Sequence, residues 1–365
     1  MTPVIEARGV AVNFRKPGGF LGFGHRRLTV LDDVSVAVDP GETLGLVGEA
    51  GSGKTTLARA LLGLVPRAQG AIRFEGQPVA DFRPLRRKMA MMFQDPVASL
   101  SPRLTIGSAI TEPFVIHGVA MASRRGAAEE LLKLVGLPKD FVSRYPHELS
   151  GGQARRAGVA RALALRPALV IADEPTAGLD VSIQGEVLNL MTRLKAELAL
   201  SYIIVTHNLA MIRHVSDRIA IMYLGRIVEE GPTQDIFAKA RHPYTASLIA
   251  AEPIPDPRRR RQSLAITGEV PSVLRRPSGC EFHTRCPFAI ERCRTEVPEL
   301  GDGAGDAINH PVGCHRAAEL PPPEGVVPTD GGFSPALEKL VAAFSLSEEG
   351  PGANGVGIIG TPSQA

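Results

Sequence analysis

Short apolar runs of strand type alternate with helically spaced segments along most of this chain. Residues 4–14 and 34–38 alternate apolar and polar positions, with an apolar group at 28–31 between them, and predict strands. The glycine-rich residues 17–24 read as an inserted loop. Thr43 to Val47 is apolar enough for a buried strand; a glycine-rich turn follows, then a helix-forming stretch from Thr56. A second strand group lies near residues 71–74, and residues 88–93 lead into Gln94, Asp95 and Pro96. Residues 106–135 carry a weak 3.6 period (Ile106, Ile110, Phe114, then Leu131, Leu132, Val135) and predict helices broken at Pro113 and Gly118. Ser150 stands at an N-cap position before the next helix. The apolar run 168–172 ends in Asp173 and Glu174; a helix over 182–198 and a strand over 202–206 ending at His207 complete an α/β alternation built on a largely parallel sheet.

The chemistry concentrates at the ends of these strands. Gly48, Glu49, Ala50, Gly51, Ser52, Gly53, Lys54 and Thr55 form a glycine turn between a strand and a helix, with Thr56 opening the helix. Such a turn wraps its N–H groups and the helix N-terminus round phosphate, which predicts binding of a nucleoside triphosphate, ATP. Lys54 would reach the β- and γ-phosphates, and the Thr55 hydroxyl would hold Mg²⁺. Asp173 is positioned to ligate the same Mg²⁺, directly or through water, and Glu174 to orient or deprotonate the attacking water. His207 follows by about one βαβ unit, where its imidazole would meet the γ-phosphate. Phe14 is a candidate to stack on adenine; the other reading is a core aromatic at a strand end. Ser150, Gly151, Gly152 and Gln153 open a helix with small residues and make a second anion site.

Composition narrows the setting. The 365 residues are 44% hydrophobic and 22% charged, ordinary for a globular protein with a sizeable core. A net charge of +3 does not point to nucleic acid, and Arg258 to Arg261, with no aromatics interleaved, reads as a solvated linker. No run is long and apolar enough to cross a bilayer and the N-terminus has no signal-peptide core, so the expected compartment is the cytoplasm.

All four cysteines, Cys280, Cys286, Cys293 and Cys314, lie in one late segment with His283, His310 and His315 nearby. Disulfides are not expected in the cytoplasm. Four thiolates suit an iron–sulfur cluster of the 4Fe–4S type or tetrahedral Zn²⁺. The absence of a paired C-x₂-C disfavours zinc, the scarcity of large apolar side chains over 263–316 argues for a metal staple, and four reduced, packed cysteines are the alternative. Beyond Arg316 the chain is rich in proline and glycine; residues 334–344 predict a short amphipathic helix and 350–365 disorder.

In this order, the phosphate loop, Gln94, the Leu149-to-Gln153 stretch, Asp173 with Glu174, Asp180 and His207 resemble the ATPase subunit of an ABC transporter over roughly residues 4–250. Phe93 to Arg103, Tyr145 to Leu149, Met222 to Gly231, His242 to Thr245, Gly268 to Ser272 and Cys280 to Pro287 resemble the oligopeptide/dipeptide (and nickel) importer branch. The resemblance implies a P-loop NTPase cassette over 1–250 with a mixed or parallel sheet core and a helical subdomain at about 95–160. A small cysteine-containing lobe at 251–316 and a flexible tail at 317–365 follow. It implies ATP hydrolysis by Glu174, His207 and Gln94, the last also linking metal and water to helices that contact the membrane subunits. Two ATPase subunits would close head-to-tail, Ser150 to Gln153 of one capping the γ-phosphate held by the other's loop, with Asp180 also at the nucleotide site. One phosphate loop per chain requires a second ATPase subunit, commonly a related, different chain. The further partners implied are two membrane permease subunits and, indirectly, an extracytoplasmic binding protein for peptides, with no nucleic acid. The chain would then sit peripherally on the cytoplasmic face of the cell membrane. A soluble cassette ATPase acting on DNA or ribosomes is the alternative. Three positions depart from the family pattern: Arg155 for Gln, Asn208 for Asp, and Ala177 with Gly178 for Ser and Ala. None removes a ligand of phosphate or metal.

Overall fold

The apolar run at residues 43–47 becomes an inner strand of the larger of two sheets. The computed structural model describes residues 1–17, 25–95, 99–251, 266, 268–301 and 309–320. Its strands in chain order are β1 (Ile5–Pro17), β2 (His25–Val38), β3 (Thr43–Val47), β4 (Gln69–Phe74), β5 (Gln77–Pro78), β6 (Met89–Met92), β7 (Leu169–Asp173), β8 (Ser201–Thr206), β9 (Arg218–Tyr223) and β10 (Arg226–Pro232). The smaller sheet runs β2-β1-β4-β5 and the larger, six-stranded one β10-β9-β3-β8-β7-β6. In the larger sheet β3 lies parallel to β8 and β9, and β7 parallel to β6 and β8; only β10 is antiparallel, so the sheet is mixed. The smaller sheet pairs antiparallel throughout. Residues 28–31 and 34–38, expected as two strands, are one, joined through Asp33 at a φ of 55°.

The larger sheet is buried on both faces, and its period of two divides the core. Leu44, Leu46, Leu169, Ile171, Ile203 and Val205 face a layer made of helix α1 (Lys54–Leu61) and the smaller sheet. Val47, Val170, Ala172, Tyr202 and Ile204 face the opposite layer. That layer holds α2 (Ile106–Ile116), α3 (Arg124–Leu134), α4 (Gly151–Leu163), α5 (Val181–Leu198) and α6 (Leu209–Val215). Because both faces are covered, the strands read as continuous apolar runs rather than alternating ones.

The helical insertion is organised by its caps. Thr105, Ser123 and Ser150 each accept a hydrogen bond from a first-turn N–H at the start of α2, α3 and α4. Pro113, expected to end a helix, sits inside α2; it forfeits one i→i−4 bond and the helix runs on to Ile116 before Gly118 turns away at a φ of 60°. Residues 18–24 of the expected loop at 17–24, the arginine run 258–261, the helix at 334–344 and all of the tail beyond residue 320 lie outside the described residues.

Past β10 come α7 (Thr233–Ala238), α8 (Pro243–Ala250) and, within the cysteine segment, α9 (Glu291–Thr295). The segment joins the core through Phe282, which packs edge-on to Tyr223 at 5.3 Å and against Tyr244 at 5.4 Å between ring centres. Polar anchors supplement it: Arg276 with Asp32 (2.9 Å), Glu281 with Arg226 (3.1 Å) and His310 with Glu229 (2.8 Å).

His242 caps α8, its Nδ1 accepting the Tyr244 N–H at 3.0 Å, with its ring tilted against Phe282. Burial lowers its pKa to about 4, against the pull of the Glu229 charge, whereas an unfolded histidine titrates near 6.5. The unfolded chain therefore takes up the proton first as pH falls, so stability declines from about pH 7 downward through this window. Between pH 7.5 and 5 the expected loss is about 2 kcal/mol. Urea unfolding of wild type and His242→Asn, which keeps a capping oxygen but does not titrate, should show that component only in wild type.

Candidate functional site

The turn between β3 and α1 has the backbone a phosphate cradle needs. Gly51 and Gly53 take φ values of 79° and 106°, left-handed conformations that side chains resist. At Gly48 an added Cβ would lie 2.2 Å from the Met222 carbonyl oxygen, so the loop lies flush against β9. The Gly225 N–H donates to the Ser52 carbonyl at 2.7 Å and fixes the loop from the β9–β10 turn. Lys54 is buried and its Nζ donates to the carbonyls of Gly48 (2.7 Å) and Glu49 (2.8 Å). Burial lowers its pKa, opposed by the charges of Glu174, Asp173 and Glu49.

Beside this loop β7 delivers its carboxylates. The Thr55 hydroxyl donates to Asp173 Oδ1 at 3.2 Å, and burial raises the Asp173 pKa against that bond. These are hard oxygen donors on adjoining elements, the chemistry that suits Mg²⁺. Glu174 follows in a left-handed conformation (φ 47°), its N–H bonded to the Val205 carbonyl at 2.8 Å. Its carboxylate accepts from Gln94 Nε2 at 2.8 Å and meets His207 Nδ1 at 2.9 Å. The His207 side chain is 65% exposed, free on its far side to meet an incoming group.

Ser150 and Gln153 form a reciprocal capping box at the start of α4 (3.3 and 3.0 Å), bonded to each other rather than to residues 48–55. Ser150 and Gly151 are exposed, and so is Asp180, which heads α5 with no cap bond from its carboxylate. Val181 beside it is 84% exposed. Phe14 is 41% exposed, which removes the core-aromatic reading. It pairs with Leu28 on β2, three residues before Leu31, whose side chain lies against Gly53.

The departures find local explanations. Asn208 caps α6, its Oδ1 accepting the Met211 N–H at 3.1 Å as an aspartate would. Gly178 takes a φ of 72°, suited to glycine. Arg155 is buried, donating to the carbonyls of Gln94 (2.8 Å) and Ala177 (2.9 Å), and so ties α4 to both segments that flank Glu174.

Cys280, Cys286, Cys293 and Cys314 line one cavity of about 10 Å³ with His283 and His315. Burial pushes the Cys280 thiol up to about 12 and Cys314 up to about 11, and raises Cys286. The donor chemistry suits a soft metal, but the room as packed is that of one water molecule. Among the described residues no group of three or more His, Cys, Asp or Glu is arranged to hold a metal ion. The four thiols share one cavity, and the expectation of a metal there is not supported by a formed ligand group among the described residues.

Two residues to which sequence reasoning gave no role attend the loop. Arg285 grips the Glu49 carboxylate with both guanidinium nitrogens, at 2.7 and 3.0 Å, and the Tyr244 hydroxyl accepts the Glu49 N–H at 2.9 Å. Both lie inside motifs quoted above, but nothing local in the sequence pairs them with residue 49.

Comparison with known proteins agrees with this geometry. The family model for the ABC transporter matches residues 31–177, and that for the oligopeptide/dipeptide transporter C-terminal region matches 228–293. A probable peptide ABC transporter ATP-binding protein of Sinorhizobium fredii is 50% identical over 297 residues, covering 79% of this chain and 82% of the relative. The oligopeptide transport ATP-binding protein AppF of Bacillus subtilis is 42% identical (86% and 97% covered), as is the di/tripeptide transport ATP-binding protein DppF of Pseudomonas aeruginosa (88% and 99%). Among solved structures, a dimeric ATP-binding cassette in a post-hydrolysis state with ADP and phosphate is 27% identical with a TM-score of 0.56, covering 63% of this chain and 98% of that one. CbiO1 of Clostridium perfringens, part of an ABC transporter complex, is 25% identical with a TM-score of 0.56, covering 65% and 91%. The DNA- or ribosome-acting alternative gains no support from these relatives. The chain belongs to the ATP-hydrolysing subunits of ABC transporters, in the branch that carries the oligopeptide/dipeptide transporter C-terminal region.

Proposed function

We propose that this subunit powers import of peptides of the oligopeptide or dipeptide class, from the cytoplasmic face of a membrane. The observation that carries the catalytic part is the Glu174 carboxylate held between Gln94 and His207, next to the Lys54 loop and the Thr55–Asp173 contact. Residues 48–56 bind the triphosphate, with Phe14 the adenine platform. Thr55, Asp173 and Gln94 would hold Mg²⁺, which would supply positive charge to neutralise the phosphates. Glu174 takes the proton of the attacking water; Gln94 orients it, and His207 faces the γ-phosphate. No helix of the described residues is long and apolar enough to cross a membrane, so coupling runs through partners.

Those partners are a second ATPase subunit, a related but different chain, and two permease subunits served by an extracytoplasmic binding protein. The exposed start of α4 and the exposed Asp180 and Val181 form the face offered to the second ATPase. ATP bridged between two such faces favours the closed pair by its differential affinity for that state. Peptide cargo rests on the relatives named for peptide transport and on the matched C-terminal region.

Glu174→Gln in the assembled transporter should lower ATP turnover at least about a hundredfold, the contribution of a positioned general base, while ATP binding persists and the pair is trapped closed. Phosphate release, filter binding and cross-linking between the two ATPase subunits read these out; undiminished turnover refutes the assignment.

For the cysteines we propose a 4Fe–4S cluster, supported by the four thiols on one cavity and the few large apolar side chains of the segment; Zn²⁺ is the second reading. Because the buried thiols are protonated when free, metal uptake would release protons and expand the cavity. Anaerobic purification should give a brown protein with absorbance near the visible blue and stoichiometric iron, and replacing the four cysteines by serine should remove both. Zinc without iron selects the second reading, and a colourless, metal-free, folded protein ends both.

A further inference from the structure

We infer that the C-terminal segment is part of the nucleotide site, with Arg285 the positioning residue that holds the phosphate loop and neutralises a carboxylate inside it. This rests on the ATP-binding reading above. Glu49 sits between the first glycine of the loop and the turn to Gly51, and its carbonyl oxygen accepts from Lys54. A bare carboxylate there repels the anion the loop is built to receive. Arg285 answers that charge with a two-pronged ion pair whose arginine side chain is only 8% exposed. The guanidinium is fixed in turn by the Tyr223 hydroxyl at 3.4 Å and by the Tyr223 and Phe282 rings, each 5.8 Å from its centre. The bonds to Glu49 are the main reason its pKa rises, so it stays charged throughout the working range. The backbone of the same residue is held as well, by the Tyr244 hydroxyl. The carboxylate of Glu49 is thus gripped by Arg285 and its N–H by Tyr244, both within the matched C-terminal region, 228–293.

Two consequences separate this role from mere docking of the segment. Arg285→Ala leaves the Glu49 carboxylate uncompensated, so MgATP should bind about tenfold more weakly, as one unmatched charge near a partly buried anion site costs. The loss should appear in Kd and KM, with kcat at saturating ATP within about twofold, since Glu174 and its partners are untouched. Adding Glu49→Gln to Arg285→Ala removes the offending charge and should restore Kd to within about threefold of the Glu49→Gln single variant. Arg285→Lys, which keeps the charge and loses the fork, should fall between wild type and Arg285→Ala. The measurements are equilibrium binding of MgATP to the purified full chain and steady-state ATPase of the assembled transporter, with circular dichroism melting to confirm folding. Wild-type Kd in Arg285→Ala overturns the inference, and so does an equal loss with and without Glu49→Gln, which marks the arginine as a structural strut. Failure of the wild-type chain to bind ATP would instead sink the broader reading of the site.

Discussion

Everything at the nucleotide end depends on carrying two adjacent carboxylates out of a strand that has no solvent on either face. All of β7 is buried, with parallel neighbours on both sides, so a charge has nowhere to go except its C-terminal edge. Alternation along β7 turns Asp173 to Thr55 on the α1 side, and the left-handed backbone just past the strand end aims Glu174 elsewhere, to Gln94 and His207. One strand end thereby supplies a metal-type oxygen and a base-type oxygen without mixing their surroundings. The left-handed backbone at Glu174 costs on the order of 1 kcal/mol, and four hydrogen bonds to that one residue hold it there: its N–H to Val205, its carbonyl from Ala177, and its carboxylate to Gln94 and His207.

The buried Arg155 shows how that arrangement is stiffened. An arginine with carbonyl partners is held charged even though burial lowers its pKa, the charge of Asp95 opposing that shift. Its guanidinium grips the backbone at Gln94 while the Gln94 side chain grips Glu174. Movement of α4 therefore moves the backbone of the residue that positions the base. Since α4 begins at the exposed Ser150, any partner that engages that start is mechanically close to the chemistry. The arginine reaches the segments on both sides of Glu174.

The sequence made the fold legible wherever a feature was local. The buried strands, the glycine turn, the capping box at Ser150 and the acidic strand end are each written in a few neighbouring residues, and each stands where the pattern put it. Pro113 does not end its helix, because a proline's missing N–H is a loss of one bond, which a well-packed helix absorbs. Phe14 was undecidable because burial depends on what covers a strand end. The cysteines gave their number and not their convergence, which is a matter of loop paths. The pairing of Glu49 with Arg285 spans 236 positions and leaves no periodicity or spacing to find.

The distribution of the segment's anchors has its own logic. A loop rich in glycine contributes few side chains by which the protein can hold it, and glycine loses the most conformational freedom on ordering. Its restraint must come from residues elsewhere. Gly225 bonds the Ser52 carbonyl, and Arg276 ties the neighbouring Leu224 carbonyl (2.6 Å) and Asp32 to the cysteine segment. Tyr244 and Arg285 take the other side of the loop at Glu49. Each contact is modest alone, since a single hydrogen bond contributes about 1 kcal/mol net. Placed on both flanks of one turn, with Phe282 packed against Tyr223 and Tyr244, they restrict the same few dihedral angles. A segment with too little apolar surface to form much of a core of its own is thus stabilised by the cassette, and in return it supplies the rigidity the glycines lack.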